Sequence, residues 1–257
     1  MEIAAGVHLI DGLRGSNVYL IADRRLILVD TAMPGNGEAV LGFIRRLGRA
    51  PDELEYIVIT HGHIDHAGGA AELRRLTGAR VVAHPEEGTR LSDGTLVLRG
   101  DINRQARPLL RALSRFGRFP PCPIDLPAAD GDELASAGGI RILHTPGHTT
   151  GSISLLMHRQ RVLFVGDAIV SNRDRLSRPL PFGADQEQSE RSLRRLAQSR
   201  FDVCCFGHGA PVTAAADEVV RALADNPPAT PLLRRIVFRR RDLATFGLRF
   251  WKRPRTG

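Results

Sequence analysis

Leu54-Glu55-Tyr56-Ile57-Val58-Ile59-Thr60-His61-Gly62-His63-Ile64-Asp65-His66 decides how the rest of the chain is read. An apolar β-type run ends at Thr60, and three imidazoles and a carboxylate follow within six residues. Neutral imidazole nitrogen and carboxylate oxygen are ligands that suit zinc and similar ions, so the segment reads as a strand that delivers metal ligands at its mouth. His61 and His63 alternate with Gly62 and Ile64, which puts their rings on one side of an extended segment. Asp65 and His66 need the chain to turn, so one short loop can serve two ions.

Working outward, Val18 to Ala22 and Leu26 to Asp30 are β-rich runs joined by Asp23-Arg24-Arg25, a hairpin pattern. Turn chemistry from Thr31 to Gly37 leads into an apolar stripe at Val40, Leu41, Phe43, Ile44 and Leu47, which predicts a helix over 38–47. A helix from about Ala67 to Leu76 and a strand Arg80 to Ala83 continue the alternation, and mixed α/β layering follows. From Pro85 to Leu134 the periodicity is irregular around an Arg-rich amphipathic stretch, where a lid and a decorated surface loop fit equally well. Strand patterns return at Ile140 to His144, Ser152 to Met157 and Val162 to Gly166. A helix over 186–198, a strand over 202–206 and a helix over 214–224 complete the pattern.

Three solitary residues share one context, just past an apolar run and beside glycine: His148 after Gly147, Asp167 after Gly166 and His208 between Gly207 and Gly209. Glycine there lets the backbone turn sharply and leaves room for an ion or ligand. Asp30, after Leu26-Ile27-Leu28-Val29, also closes an apolar run. Loops at one end of a sheet would bring all of them together.

On these motifs, which occur in order from Asp30 to His208, the chain resembles the metallo-β-lactamase superfamily of hydrolases, most closely its glyoxalase II-like branch. The resemblance implies an αββα sandwich of two mixed sheets flanked by helices. It implies one ion on His61, His63 and His148 and a second on Asp65, His66 and His208, with Asp167 bridging and Asp30 supporting the site through hydrogen bonds. Two divalent ions, zinc ahead of iron or manganese, would generate a bridging hydroxide that attacks a small acyl ester-type bond, thioester or lactone before β-lactam. Asp65 would also orient the nucleophile. The same branch includes persulfide dioxygenases with a single iron on residues matching His61, His148 and Asp167. Nuclease members and a non-catalytic binding protein are the further alternatives.

The formal net charge of +8 belongs to one segment: eight Arg and one Lys against one Asp lie between Leu233 and Gly257, and residues 1–232 balance. The expected organisation is therefore a catalytic domain over 1–230, with 85–134 as lid or insertion, and a basic tail over 231–257. The tail mixes cations with large apolar groups, a composition that suits nucleic acid, an anionic membrane surface, or a helix docked on the protein's own body. Arginines between Arg104 and Arg118 near a site mouth would favour an anionic small-molecule substrate. There is no basic, apolar leader and no run of ~18 apolar residues, so a cytoplasmic location is expected. Cys122, Cys204 and Cys205 are an odd set read as buried hydrophobes rather than a disulfide framework.

Overall fold

A computed structural model describes residues 1–94, 119–172, 175–177 and 185–226. The basic tail and the Arg-rich part of the irregular region lie outside them. Met1–Asp225 forms one compact unit.

The first sheet has seven strands in sequential order: β1 (Glu2–Ala4), β2 (Val7–Leu9), β3 (Tyr19–Ala22), β4 (Leu26–Val29), β5 (Leu54–Val58), β6 (Arg80–Ala83) and β7 (Leu126–Pro127). Its first half is an antiparallel meander, and from β4 onward neighbours are parallel. Helices α1 (Gly37–Arg46), α2 (Ile64–Ala67), α3 (Ala70–Thr77) and α4 (Gly88–Asp93) fall within this half of the chain. The second sheet contains β8 (Glu133–Leu134), β9 (Ile140–His144), β10 (Ile153–Met157), β11 (Val162–Gly166) and β14 (Val203–Phe206), in the order β14-β11-β10-β9-β8. Only its β11–β14 pair is parallel. A small hairpin, β12 (Val170–Asn172) with β13 (Arg175–Ser177), and helices α5 (Gln186–Leu196) and α6 (Ala216–Asp225) complete the described elements.

Strand alternation explains the layers. Tyr19, Ile21, Ile27, Val29 and Val58 of the first sheet pack with Ile140, Ile142, Leu155, Phe164 and Cys205 of the second, forming the core between sheets. The alternate residues Leu20, Leu28 and Ile57 face outward onto Val40, Leu41 and Ile44 of α1 and Leu73 of α3. On the far side Leu163, Val165, Cys204 and Phe206 meet Leu193 and Leu196 of α5 and Val220 of α6. Both faces of each sheet are thus buried, and each such Leu, Ile or Phe removed from water contributes about 1.5–3 kcal/mol. The result is the αββα sandwich.

This layering positions the site. Strands β4, β5 and β6 run one way, and β9, β11 and β14 share a direction through their antiparallel and parallel pairings. Ile153 N–H donates to the Thr60 carbonyl at 2.9 Å. That bond ties the end of β5 to the start of β10. The loops leaving β4, β5, β9, β11 and β14 gather at this edge.

Candidate metal centre

His61 and His63 lie in the loop that leaves β5, and α2 supplies the turn that Asp65 and His66 require. His63 stands at the entry of α2 in an extended conformation, and its carbonyl accepts from both His66 and Ala67 N–H groups. The ring nitrogens His61 Nε2 and His148 Nε2 each lie 3.0 Å from His63 Nδ1. Asp65, His66 and His208 form a second group, with His208 Nε2 3.2 Å from Asp65 Oδ2 and 3.3 Å from His66 Nε2. Asp167 faces both groups: its carboxylate is 3.5 Å from His148 Nε2, 3.5 Å from His66 Nε2 and 3.6 Å from His208 Nε2. All seven residues named from the sequence as ligands are therefore together.

Asp30 sits behind them, 2 % exposed, with φ of 60°. Its carboxylate accepts from Thr60 N–H at 2.8 Å, from the Thr60 hydroxyl at 2.9 Å and from His66 Nδ1–H at 2.8 Å. A carboxylate only accepts, so His66 carries a proton on Nδ1 and turns Nε2 toward the centre, where a cation would take the place of any proton on it. The Thr60 hydroxyl proton is committed to Asp30, so Thr60 Oγ1 accepts from His61 Nδ1–H at 3.1 Å. One aspartate thus fixes the ring tautomer of two histidines, one in each group.

The electrostatics divide along the same line. Burial, reinforced by the neighbouring imidazoles, holds His61 well below its ordinary value. Burial, His148 and the Arg90 guanidinium push His63 down to about 3, and burial also lowers His148. These rings are neutral near pH 7, the form that binds a metal. His66 is raised well above the ordinary range: burial works against this, but Asp167, Asp30 and Asp65 outweigh it. Burial would raise Asp65 and Asp167, yet His66 and the other imidazoles hold both carboxyls far below the usual range.

The donors fit a pair of divalent cations. In the first group His61 Nε2 and His148 Nε2 each lie 3.0 Å from His63 Nδ1, so three ring nitrogens converge on a space where one cation could use all their lone pairs. Asp167 Oδ1 is buried without a hydrogen-bond partner among the described residues, a cost that a cation removes. Three groupings of potential ligand atoms within 4.8 Å occur: His61/His63/His148, His61/His66/Asp167 and Asp65/His66/His208. Access is from the second group's side, where Asp65 and His208 are each about one-third exposed.

Several supporting residues carried no signal in the sequence. Asn17 donates from its side chain to the carbonyls of Phe206 at 2.9 Å and Gly209 at 2.6 Å, and Tyr19 donates to the Phe206 carbonyl at 2.8 Å, so both brace the turn that bears His208. Tyr19 is thereby committed to the backbone, and burial raises its phenol well above 10. Thr31 holds the His66 carbonyl through both its N–H and its hydroxyl at 2.7 Å. Glu87 is buried between the loops of His61 and His148. Among the residues that support the site, Thr60, a polar residue at the border of an apolar strand, offers a sequence cue.

No helix among the described residues is long and apolar enough to cross a membrane. The family model of the metallo-beta-lactamase superfamily matches residues 11–208. The probable metallo-hydrolase YflN of Bacillus subtilis (strain 168) is 28% identical over 239 residues, covering 82% of this chain and 87% of that one. A hydroxyacylglutathione hydrolase of Pseudomonas putida (strain W619) is 32% identical over 198 residues, 73% of this chain and 60% of its own length. Among solved structures, a metallo-beta-lactamase family protein of Thermus thermophilus aligns with a TM-score of 0.65 at 27% identity, covering 87% of this chain and 78% of that one. The order of ligand-bearing loops, the two facing mixed sheets and the matched span agree, and the chain belongs to the metallo-β-lactamase superfamily of metallohydrolases.

Proposed function

We propose that this chain hydrolyses a small acyl ester-type bond, with thioesters and lactones as the substrate class, at a centre of two divalent ions. His61, His63 and His148 hold one ion in this reading, Asp65, His66 and His208 the other, and Asp167 lies between them. The observation that carries it is the position of Asp167, within 3.5–3.6 Å of ligand atoms in both groups. When bound, two such ions supply Lewis acidity at the acyl oxygen and a water that ionises near neutral pH.

The chain's own residues do the rest. The neutral imidazoles of the first group would leave the charge of an ion they hold undiminished, whereas Asp65 adds negative charge to the second group and Asp167 adds it between the two. Asp65, at the open edge, accepts a hydrogen bond from the attacking water and orients it. Asp30 stays behind the wall and keeps His61 and His66 in their productive tautomers. Zinc is the ion the imidazole-rich set favours. The Pseudomonas putida relative, by its name, acts on a hydroxyacyl-glutathione bond, which supports the acyl class. A mononuclear iron dioxygenase would use only His61, His148 and Asp167 and would leave the convergence of Asp65, His66 and His208 without a purpose. Cys122, Cys204 and Cys205 are free and buried, in keeping with a cytoplasmic location.

The test is elemental analysis of the purified full chain together with a panel of thioester, lactone, β-lactam and phosphodiester substrates, before and after chelation. Two equivalents of zinc and acyl hydrolysis that is lost on chelation and restored by metal are expected. Full acyl hydrolysis by metal-free protein overturns the proposal, as does a single iron with oxygen consumption on a persulfide.

A further inference from the structure

Glu87 is a carboxylate outside the ligand set, 1 % exposed, whose two oxygens serve two different loops. Oε2 accepts from Gly62 N–H at 3.0 Å and from Arg90 Nη1 at 3.1 Å. Oε1 accepts from the Thr149 hydroxyl at 2.6 Å and from Gly151 N–H at 3.2 Å. Gly62 lies between His61 and His63, and Thr149 follows His148. We infer that Glu87 is a positioning residue that clamps these two loops together and so sets the geometry of the His61/His63/His148 group, an inference that rests on the two-ion reading above.

The approach is close enough to require glycine on both sides. A Cβ on Gly62 would stand 2.7 Å from Glu87 Oε2, and one on Gly151 would stand 2.8 Å from Glu87 Cγ. A buried carboxylate is costly unless it is paired and fully hydrogen-bonded, and here four donors and the Arg90 charge meet that cost. His148 also needs outside help, because its Nδ1 is buried without a hydrogen-bond partner among the described residues. No described residue bonds the ring's far nitrogen to aim it, and the loop that bears it is fastened to Glu87 through Thr149 and Gly151.

The second group has separate anchors: Thr31 on the His66 carbonyl, Ser16 N–H on the Asp65 carbonyl at 3.1 Å, and Asn17 on the turn of His208. Glu87 should therefore matter for one ion and not the other. Glutamine at this position keeps the shape but only one acceptor oxygen, so its NH2 group must face the donors of one loop. Valine in place of Thr149 removes the donor to Glu87 and the contact with the Ser152 hydroxyl, and serine retains both.

The experiment is a Co2+ titration of the metal-free full chain against a competing chelator, read by the visible spectrum of the bound ion, with the unfolding temperature of the metal-free protein measured alongside. Glu87→Gln is expected to weaken one of the two equivalents by about 10- to 100-fold, the usual range for a partner that orients metal ligands. Its spectrum should change while the other equivalent keeps its affinity. Thr149→Val should weaken the same equivalent less, and Thr149→Ser should restore it. Unchanged affinities, or equal weakening of both equivalents, overturn the inference. Should Glu87→Gln fail to fold, the Thr149→Val and Thr149→Ser pair decides alone. Wild-type protein that binds two ions but hydrolyses no acyl substrate defeats the substrate reading and leaves this inference standing, and wild-type protein that binds none defeats both.

Discussion

The first sheet supplies its ligands from one loop, His61 to His66, whereas the second supplies His148, Asp167 and His208 singly, each after a different strand. The compact loop is organised locally: one turn of α2 aims Asp65 and His66, and Asp30 fixes two of the rings from behind. The dispersed ligands depend on sheet register, and their turns are held by residues far away in sequence, Glu87 for His148 and Asn17 for His208. Dense ligands tolerate local disturbance of the second sheet, while the solitary ones are exposed to any slip between layers. Each expectation below would break or sharpen that contrast.

The largest effect belongs to Asp167, the residue within reach of both groups. Asp167→Ala should release both ions on dialysis and lower kcat/KM by about 100-fold or more, beyond the range seen for residues that merely support ligands. His148→Ala and His208→Ala should each release one ion, a different one in each case. Metal content after exhaustive dialysis, measured beside hydrolysis rates, checks this. Retention of both ions in Asp167→Ala would remove the bridging role.

Next is Asp30→Asn. With its oxygen in the Oδ2 place the amide keeps the Thr60 hydroxyl and His66 Nδ1–H but turns its NH2 on Thr60 N–H. In the other orientation the NH2 faces the Thr60 hydroxyl and His66 Nδ1–H, so at least one buried donor behind both groups loses its acceptor. Affinity for both ions should fall by about 10- to 100-fold, in contrast to the single ion expected from Glu87→Gln. Leaving a buried donor unsatisfied should also cost roughly 1–3 kcal/mol of stability, measurable by urea denaturation of the metal-free chain. Gly207→Ala ranks third. A Cβ there would collide with the Asp167 carboxylate and His66 Cε1, so about 1–3 kcal/mol of overpacking strain is expected. The distortion would fall between the two ligand sources, and the same denaturation series reads it.

What was legible in the sequence follows the same division. The strands Arg80–Ala83, Ile140–His144 and Val162–Gly166 are legible with the bounds they have, because most of their residues are apolar and buried, and in Val162–Gly166 all of them are buried. The helix expected from about Ala67 is instead two pieces, α2 and α3, since the turn that presents Asp65 and His66 begins at Ile64 and the chain bends at Gly68-Gly69. β1, β2, β7 and β8 have no more than three residues each, too short to show a period. His148, Asp167 and His208 stood out because each is a polar residue beside glycine at the end of an apolar run. Glu87 did not, since its partners at 62, 149 and 151 are joined to it only by the fold. The 95–118 part of the irregular region and the 231–257 tail lie outside the described residues.

The smallest expected effect tests the seam between the two ligand sources from outside the centre. His84, three residues before Glu87, stacks on His144, four residues before His148, with ring centroids 4.1 Å apart and planes at 4°. His84 Nδ1 accepts from Glu86 N–H at 3.3 Å, and His144 Nε2 lies 2.8 Å from the Thr150 carbonyl, to which it donates. Burial and the facing His144 lower the His84 value, against the opposing charges of Glu86, Glu87 and Asp130. The folded state therefore favours neutral His84. Above the unfolded value near 6.5 neither state holds the proton and the contribution is complete. As pH falls below that value the unfolded chain binds the proton first, and stability is lost until the pH passes the lower folded value. The ring is partly exposed and the opposing charges offset part of the shift, so the loss should be under ~1 kcal/mol. His84→Phe keeps an aromatic face on His144 and removes the titration. Its denaturation midpoint should vary less than that of the wild type between about pH 7.5 and 5.5, the interval that spans the ordinary histidine value. Equal slopes in the two proteins would mean that the stack fastens the seam without sensing protons.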